Sequence, residues 1–153
     1  MVNKKDKKTI VAVSGGFDPL HKGHVQLFKE AKKLGDELVV ILNNDNWLEE
    51  KKGYGFMPEE ERAYIIEALE VVDRVFITEH PKNPKDMSVA DALRKVKPAI
   101  FGNGGDRKEH NTPESDVCEE IGCKMVYNLG DKVQSSSWLL EDFFHKRKGK
   151  EEK

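Results

Sequence analysis

Two histidines, His21 and His24, bracket Gly23 in the segment Gly16-Phe17-Asp18-Pro19-Leu20-His21-Lys22-Gly23-His24. An imidazole offers N–H donors, and residues at i and i+3 of a helix share one face. Two such rings can therefore meet one phosphate. The segment follows a β-branched apolar run, Thr9-Ile10-Val11-Ala12-Val13. It precedes an amphipathic stretch carrying Val25, Leu27, Phe28, Ala31 and Leu34. Strand, glycine-containing turn and helix, in that order, aim helix-start N–H groups and dipole at an anion. Gly23 between the rings leaves room for a ligand to approach the backbone. The chemistry is phosphate binding.

Elements able to hold such a turn recur along the chain. Val39-Val40-Ile41-Leu42 reads as a second strand, reached from the first helix through a Gly35-Asp36 stop. Pro58 and the acids Glu59, Glu60 and Glu61 open a helix carrying Ala63, Ile65, Ile66 and Leu69. Proline and acids both suit a helix first turn. Val71 to Thr78 reads as a third strand. Ser88 caps a helix through Val89, Ala92, Leu93 and Val96, which Pro98 ends. Ala99-Ile100-Phe101 makes a fourth strand. A helix from Thr112-Pro113 through Ile121 stops at Gly122, Met125-Val126-Tyr127 makes a fifth strand, and Ser136 to Phe144 a last helix. Strands alternating with helices predict an α/β fold. The expectation is one Rossmann-like domain over residues 9–145, with a five-stranded parallel sheet and helices on both faces. Residues 1–8 read as a flexible tail and 146–153 as a charged, disordered one.

A parallel sheet places ligands beyond the carboxyl ends of its strands, where strand order reverses. The loops of that rim hold the glycine and polar clusters: Gly15 to His24, Asn43 to Trp47 with Lys51 and Lys52, Gly102 to Arg107, and Gly130 to Ser137. Any one of them could be turn chemistry. Together they make a site.

The pattern Gly16-Phe17-Asp18-x-x-His21-x-Gly23-His24 resembles the HxGH signature of the cytidylyltransferase-like nucleotidyltransferase superfamily. That superfamily includes glycerol-3-phosphate cytidylyltransferase, heptose 1-phosphate adenylyltransferase and pantetheine-phosphate adenylyltransferase, and the resemblance covers nearly the whole chain. It implies transfer of a nucleoside monophosphate from ATP or CTP onto the phosphate of a small phosphorylated sugar or polyol, with release of pyrophosphate. The attacking phosphate oxygen is already ionised, so the enzyme must supply alignment and charge neutralisation rather than a strong base.

The resemblance also implies roles. His21, His24, Lys51 and Arg62 form the catalytic set, Lys51 following the second strand and Arg62 approaching phosphate in Glu61-Arg62. An arginine in a helix first turn has no dipole reason to be there. Gly15, Gly16 and Phe17 cradle phosphate through backbone N–H groups, as a glycine-rich turn can. Gly104-Gly105-Asp106 lies near base and ribose, and Ser135-Ser136-Ser137 holds the β- and γ-phosphates. Asp18, Lys52 and Arg107 are candidate acceptor contacts. On its own chemistry Asp18 reads rather as a buried carboxylate holding its loop. The sequence offers no compact carboxylate cluster at the site, so Mg²⁺ is expected to be held mainly by the nucleotide phosphates, with no protein metal site. Small members of the superfamily usually pair, which implies a homodimer. Tyr54, Phe56 and Met57 in a Gly-rich loop would suit an interface or cover the chain's own site.

Departures from the pattern bear on the substrate. Gly130-Asp131-Lys132-Val133-Gln134 stands where the glycerol- and choline-phosphate enzymes carry Arg-Thr-x-Gly-Ile. The missing arginine and the Gly-Gly-Asp lean toward the heptose phosphate enzyme and ATP. Gly102-Asn103 and Arg107 replace residues that shape the base and acceptor pocket, so ATP and CTP both stay open.

Composition sets bounds. Charged residues make up 35% of 153 and the net charge is −2, without the basic excess of a nucleic-acid binder. Apolar runs such as Leu38 to Leu42 are too short to span a bilayer, and the lysine-rich start lacks a secretion signal's apolar core. A cytoplasmic location follows as the expectation. Cys118 and Cys123 make no disulfide framework and read as reduced structural thiols. His80 reads as a surface-loop residue, His110 as a weak acceptor candidate, His145 as tail, and Trp47 and Trp138 as packing. Two further functions compete: a cofactor-pathway adenylyltransferase, and a regulatory module that binds nucleotide without turnover.

Overall fold

The computed structural model describes residues 7–104, 113–130 and 136–151. Five apolar runs form β1 (Ile10–Gly15), β2 (Glu37–Leu42), β3 (Arg74–Ile77), β4 (Ile100–Gly104) and β5 (Lys124–Leu129). They lie in one sheet in the order β3-β2-β1-β4-β5, every pairing parallel. Val13 stands opposite Val40, and Ala12 opposite both Val39 and Phe101. The chain builds outward from β1 to β3, then returns to lay β4 on the other side of β1. Strand order thus reverses between β1 and β4, and the cleft at their carboxyl ends is the place for a ligand.

The helices are α1 (Lys22–Lys32), α2 (Asp45–Lys52), α3 (Glu59–Glu67), α4 (Ala90–Val96), α5 (Pro113–Ile121) and α6 (Ser136–Glu151). Phe28 and Ala31 of α1, with Ala63 and Ile66 of α3, pack on Val11, Val13, Leu38, Val40 and Leu42. Ala92 and Leu93 of α4, with Val117 and Cys118 of α5, pack on Ala12, Ile41 and Phe101 across the sheet. Successive strand residues point to opposite faces, so β2 feeds both cores and is buried from Leu38 to Leu42. A strand covered on both faces needs that continuous apolar run. The α/β sandwich expected from the sequence is the fold found.

Three local differences stand out. Residues 45–52, read as loop, form α2. Asn44 caps its start by accepting from the Trp47 N–H, and Gly53 ends it at φ 82°, a left-handed backbone that suits glycine. The last helix does not stop at Phe144 but continues to Glu151, with Lys146 paired to Asp142 one turn back. Residues 146–151, expected to be disordered, are thus helical. The third strand is shorter than Val71 to Thr78, at Arg74–Ile77. Cys118 and Cys123 are free and buried, and burial pushes the Cys123 thiol up to about 12. Among the described residues no helix is long and apolar enough to cross a membrane.

Candidate active site

The histidine pair builds the helix start that holds it. His21 is the N-cap of α1, and its Nδ1 accepts from the Gly23 N–H at 3.1 Å. His24 reaches back, its Nδ1 accepting from the His21 N–H at 3.2 Å. This is a reciprocal capping box made of two imidazoles. The rings stack, centroids 3.6 Å apart and planes 21° from parallel. The arrangement also sets protonation. A neutral imidazole whose Nδ1 accepts must carry its hydrogen on Nε2, so each ring presents an Nε2–H donor.

Burial lowers the His21 pKa. His24 is lowered to about 3, first by burial, then by His21 and by the Lys52 charge. In the free protein the pair therefore works as neutral donors at pH 7. Phe17, at φ 49° and 5% exposed, meets the His24 ring edge-on at 4.9 Å.

The His24 shift carries a pH signature. Its folded pKa lies below the ordinary 6.5, so between those values the unfolded chain binds a proton that the native one does not. Stability from this group is present above about pH 6.5 and is lost as pH falls toward about 3. The unfolding midpoint is expected to drop on acidification from about pH 7 to pH 5, and to drop less in His24→Gln, which has no titrating ring. Identical pH dependence in the two proteins, followed by thermal denaturation, would contradict the assignment.

Close packing holds the glycine-rich turn. A Cβ on Gly15 would lie 2.8 Å from the Phe17 ring, and one on Gly16 2.9 Å from Leu48 Cδ2. Beside the turn is a cavity of about 240 Å³ lined by Ser14, Gly15, Gly16, Phe17, His24, Leu27, Gly102, Asn103 and Gly104. It occupies the β1/β4 cleft. Gly15, Gly16, Phe17, His24 and Gly104 are thus brought together as the sequence suggested. Gly105, Asp106, Arg107 and Ser135 lie outside the described residues.

Several expected ligand contacts turn out to be committed elsewhere. Asp18 is 1% exposed and accepts from the backbone N–H groups of Phe56 and Met57 at 2.6 and 2.7 Å. It fastens the loop before α3 to the glycine turn, which corrects the acceptor-contact reading and agrees with the loop-holding one. Tyr54 and Phe56 on that loop stay exposed. Arg62 is also turned inward, 1% exposed. Its Nε donates to Met57 O, its Nη1 to Gly16 O and Asn43 O, and its Nη2 to Asp45 Oδ1, all at 2.7–2.9 Å. That network explains an arginine early in α3, and it corrects the phosphate role: the guanidinium braces the loops after β1 and β2. The Ser136 hydroxyl donates to Pro19 O at 2.8 Å, leaving no hydrogen for a phosphate, while Ser137 is exposed. Of the two lysines, Lys52 is near enough to act on His24, and Lys51 is exposed.

A larger cavity, about 440 Å³, lies at the sheet edge beyond β3, lined by residues including Thr78, His80, Pro84, Asp91 and Lys95. His80 is no free surface residue. Its Nε2 donates to Ser88 O at 2.9 Å, its Nδ1 meets Thr78 Oγ1 at 2.8 Å, and its carbonyl accepts from the side chains of Asn44 and Asn46. Trp47 Nε1 donates to Met87 O, tying the same loop to α2. Only the polar content of Asn44 to Trp47 hinted at this in the sequence.

A Rossmann-like sheet with stacked, helix-capping histidines at its central cleft defines a nucleotidyltransferase-type site. Residues 12–134 match the cytidylyltransferase-like family, and the chain belongs to it. It is similar to a protein of Desulfatibacillum aliphaticivorans called bifunctional protein HldE, 34% identical over 141 residues, covering 91% of this chain and 28% of that one. It is 41% identical over 123 residues to an FAD synthase of Thermococcus sibiricus, covering 80% and 78%. The chain thus spans about a quarter of the length of the HldE relatives. A solved lipopolysaccharide core biosynthesis protein of Thermoplasma volcanium superposes with a TM-score of 0.67 at 32% identity, covering 82% of this chain and 99% of that one.

Proposed function

We propose that this chain transfers a nucleoside monophosphate, with ATP as the favoured donor, to the phosphate of a small phosphorylated acceptor. An acceptor phosphate oxygen bonds to the α-phosphorus, and the bond from that phosphorus to pyrophosphate breaks. The observation that carries the reading is the pair of Nε2–H donors fixed by mutual capping beside the β1/β4 cleft. Donors set in advance stabilise charge as it builds on the transferring phosphorus without reorganising. Kinship to FAD synthases supports ATP, since their product is an adenine dinucleotide. Kinship to HldE and to a lipopolysaccharide core protein supports a sugar phosphate acceptor. FMN, the phosphorylated precursor of FAD, is the second acceptor, favoured by FAD synthase relatives of similar length.

Among the described residues no three His, Cys, Asp or Glu side chains gather as a metal site. Mg²⁺ is expected to be held mainly through the triphosphate, with Lys52, which acts on His24, as the nearby protein cation. The test is pyrophosphate release from ATP and from CTP, each offered heptose 1-phosphate, glycerol 3-phosphate and FMN. Release with ATP and one acceptor, abolished by exhaustive chelation and restored by Mg²⁺, is the expected result. Nucleotide binding without release from any acceptor would identify a sensing module instead.

A further inference from the structure

Asn43 follows β2 directly and lies level with Gly16 and Thr78. Its backbone is committed on both sides: its N–H donates to Gly15 O at 2.9 Å, and its carbonyl accepts from Arg62 Nη1 at 2.7 Å. Its side-chain oxygen is not. Asn43 is 4% exposed, yet its Oδ1 has no hydrogen-bond partner, the one such buried side-chain atom among the described residues. Leaving a buried polar group unpaired costs about 1–3 kcal/mol. Other buried polar side chains at this rim of the sheet are engaged: Asn44 with Trp47 and His80, Thr78 with the Asn44 N–H and His80, and, across β1, Asn103 with Phe101 O and Val126 O. An unpaired acceptor oxygen beside such engaged groups is an opening left for a donor on a ligand.

Its place says which ligand. On the functional reading above, the nucleotide takes the β1/β4 cleft, which His24 and Gly104 line. Asn43 lies on the other side of β1, between Gly16 of that cleft and Thr78 of the cavity of about 440 Å³. The unpaired atom accepts hydrogen bonds, so it does not match an ionised phosphate oxygen, which also only accepts. We infer that Asn43 is a specificity-determining residue that takes a hydrogen bond from a hydroxyl or N–H on the body of the acceptor substrate, away from its phosphate. This rests on the nucleotidyltransferase reading above.

Steady-state pyrophosphate release, with ATP and whichever of heptose 1-phosphate, glycerol 3-phosphate or FMN turns over, tests it. Asn43→Ala is expected to raise the acceptor KM about tenfold, the worth of one hydrogen bond, and to leave the KM for ATP and the melting temperature unmoved. Asn43→Ser, which keeps an oxygen, is expected to recover part of the loss. An unchanged acceptor KM in Asn43→Ala overturns the inference alone. So does a rise in both KM values with a lowered melting temperature, which would mark a structural residue. A wild-type protein that releases pyrophosphate with none of the acceptors overturns the functional reading and the inference together.

Discussion

Arg62→Ala is expected to lower the free energy of unfolding by about 3–5 kcal/mol, the usual cost of removing one member of a buried, hydrogen-bonded charge network. The loss falls mainly on backbone carbonyls. Asp45, the ion-pair partner, has a side chain 43% exposed, so water takes over there. Gly16 O, Asn43 O and Met57 O lose a charged donor inside the fold, and charge-assisted bonds of this kind are the stronger ones. Arg62→Lys is expected to recover little, because a compact ammonium cannot span the positions that the planar fork reaches. Asp45→Asn is the comparison: it keeps an oxygen for the Nη2 hydrogen bond while removing the carboxylate charge beside a buried guanidinium, and it should cost less than Arg62→Ala because the Asp45 side chain is 43% exposed. Chemical denaturation of the three variants gives the comparison. If Arg62→Ala keeps its stability and loses only phosphate affinity, the side chain serves the ligand and the bracing role is wrong.

That contrast marks how far the sequence could be read. Fold class followed from apolar runs, because a parallel strand buried on both faces has little choice of residue, and Leu38 to Leu42 shows it. The glycine turn was legible for a similar reason: Gly15 and Gly16 sit where a Cβ would strike Phe17 and Leu48, and a following helix start is a known anion site. Arg62 and Asp18 were harder. Their partners lie as far as 46 and 39 residues away in sequence, and no spacing rule links such distances. A charged residue near a site looks the same in sequence whether it faces the ligand or braces the loop behind it.

Helix α2 was hidden by its composition. With Leu48 its one buried side chain, it has no apolar stripe, and its caps Asn44 and Gly53 are its clearest sequence signals. His80 was hidden by context, since the Thr78 and Ser88 groups that fix it come together only when β3 and α4 are in place. Asn43 gives no sequence signal beyond a polar residue after an apolar run. Its meaning depends on an absent partner, which only the structure can show.

His24→Ala is expected to lower turnover by about 10²–10³-fold, the usual effect of deleting one preorganised donor to a developing charge, while nucleotide affinity changes far less. His24 lines the cleft and presents Nε2–H because its Nδ1 is occupied by the His21 N–H. With a pKa near 3 in the free protein, it offers a hydrogen bond at pH 7 rather than a full positive charge. A ground-state phosphate, before charge builds on it, gains little from one neutral donor. The five-coordinate phosphorus, with more charge on its equatorial oxygens, gains more. His24→Gln separates this role from capping, since its carboxamide oxygen can accept from the His21 N–H while its NH₂ faces the cleft. It should hold the melting temperature better than alanine does and recover part of the turnover. Saturating turnover numbers, nucleotide dissociation constants and melting curves for the two variants decide the matter. Full turnover with lost nucleotide binding would make His24 a ground-state ligand. Equal turnover loss in both variants, following the loss of stability, would make it a helix cap and nothing more.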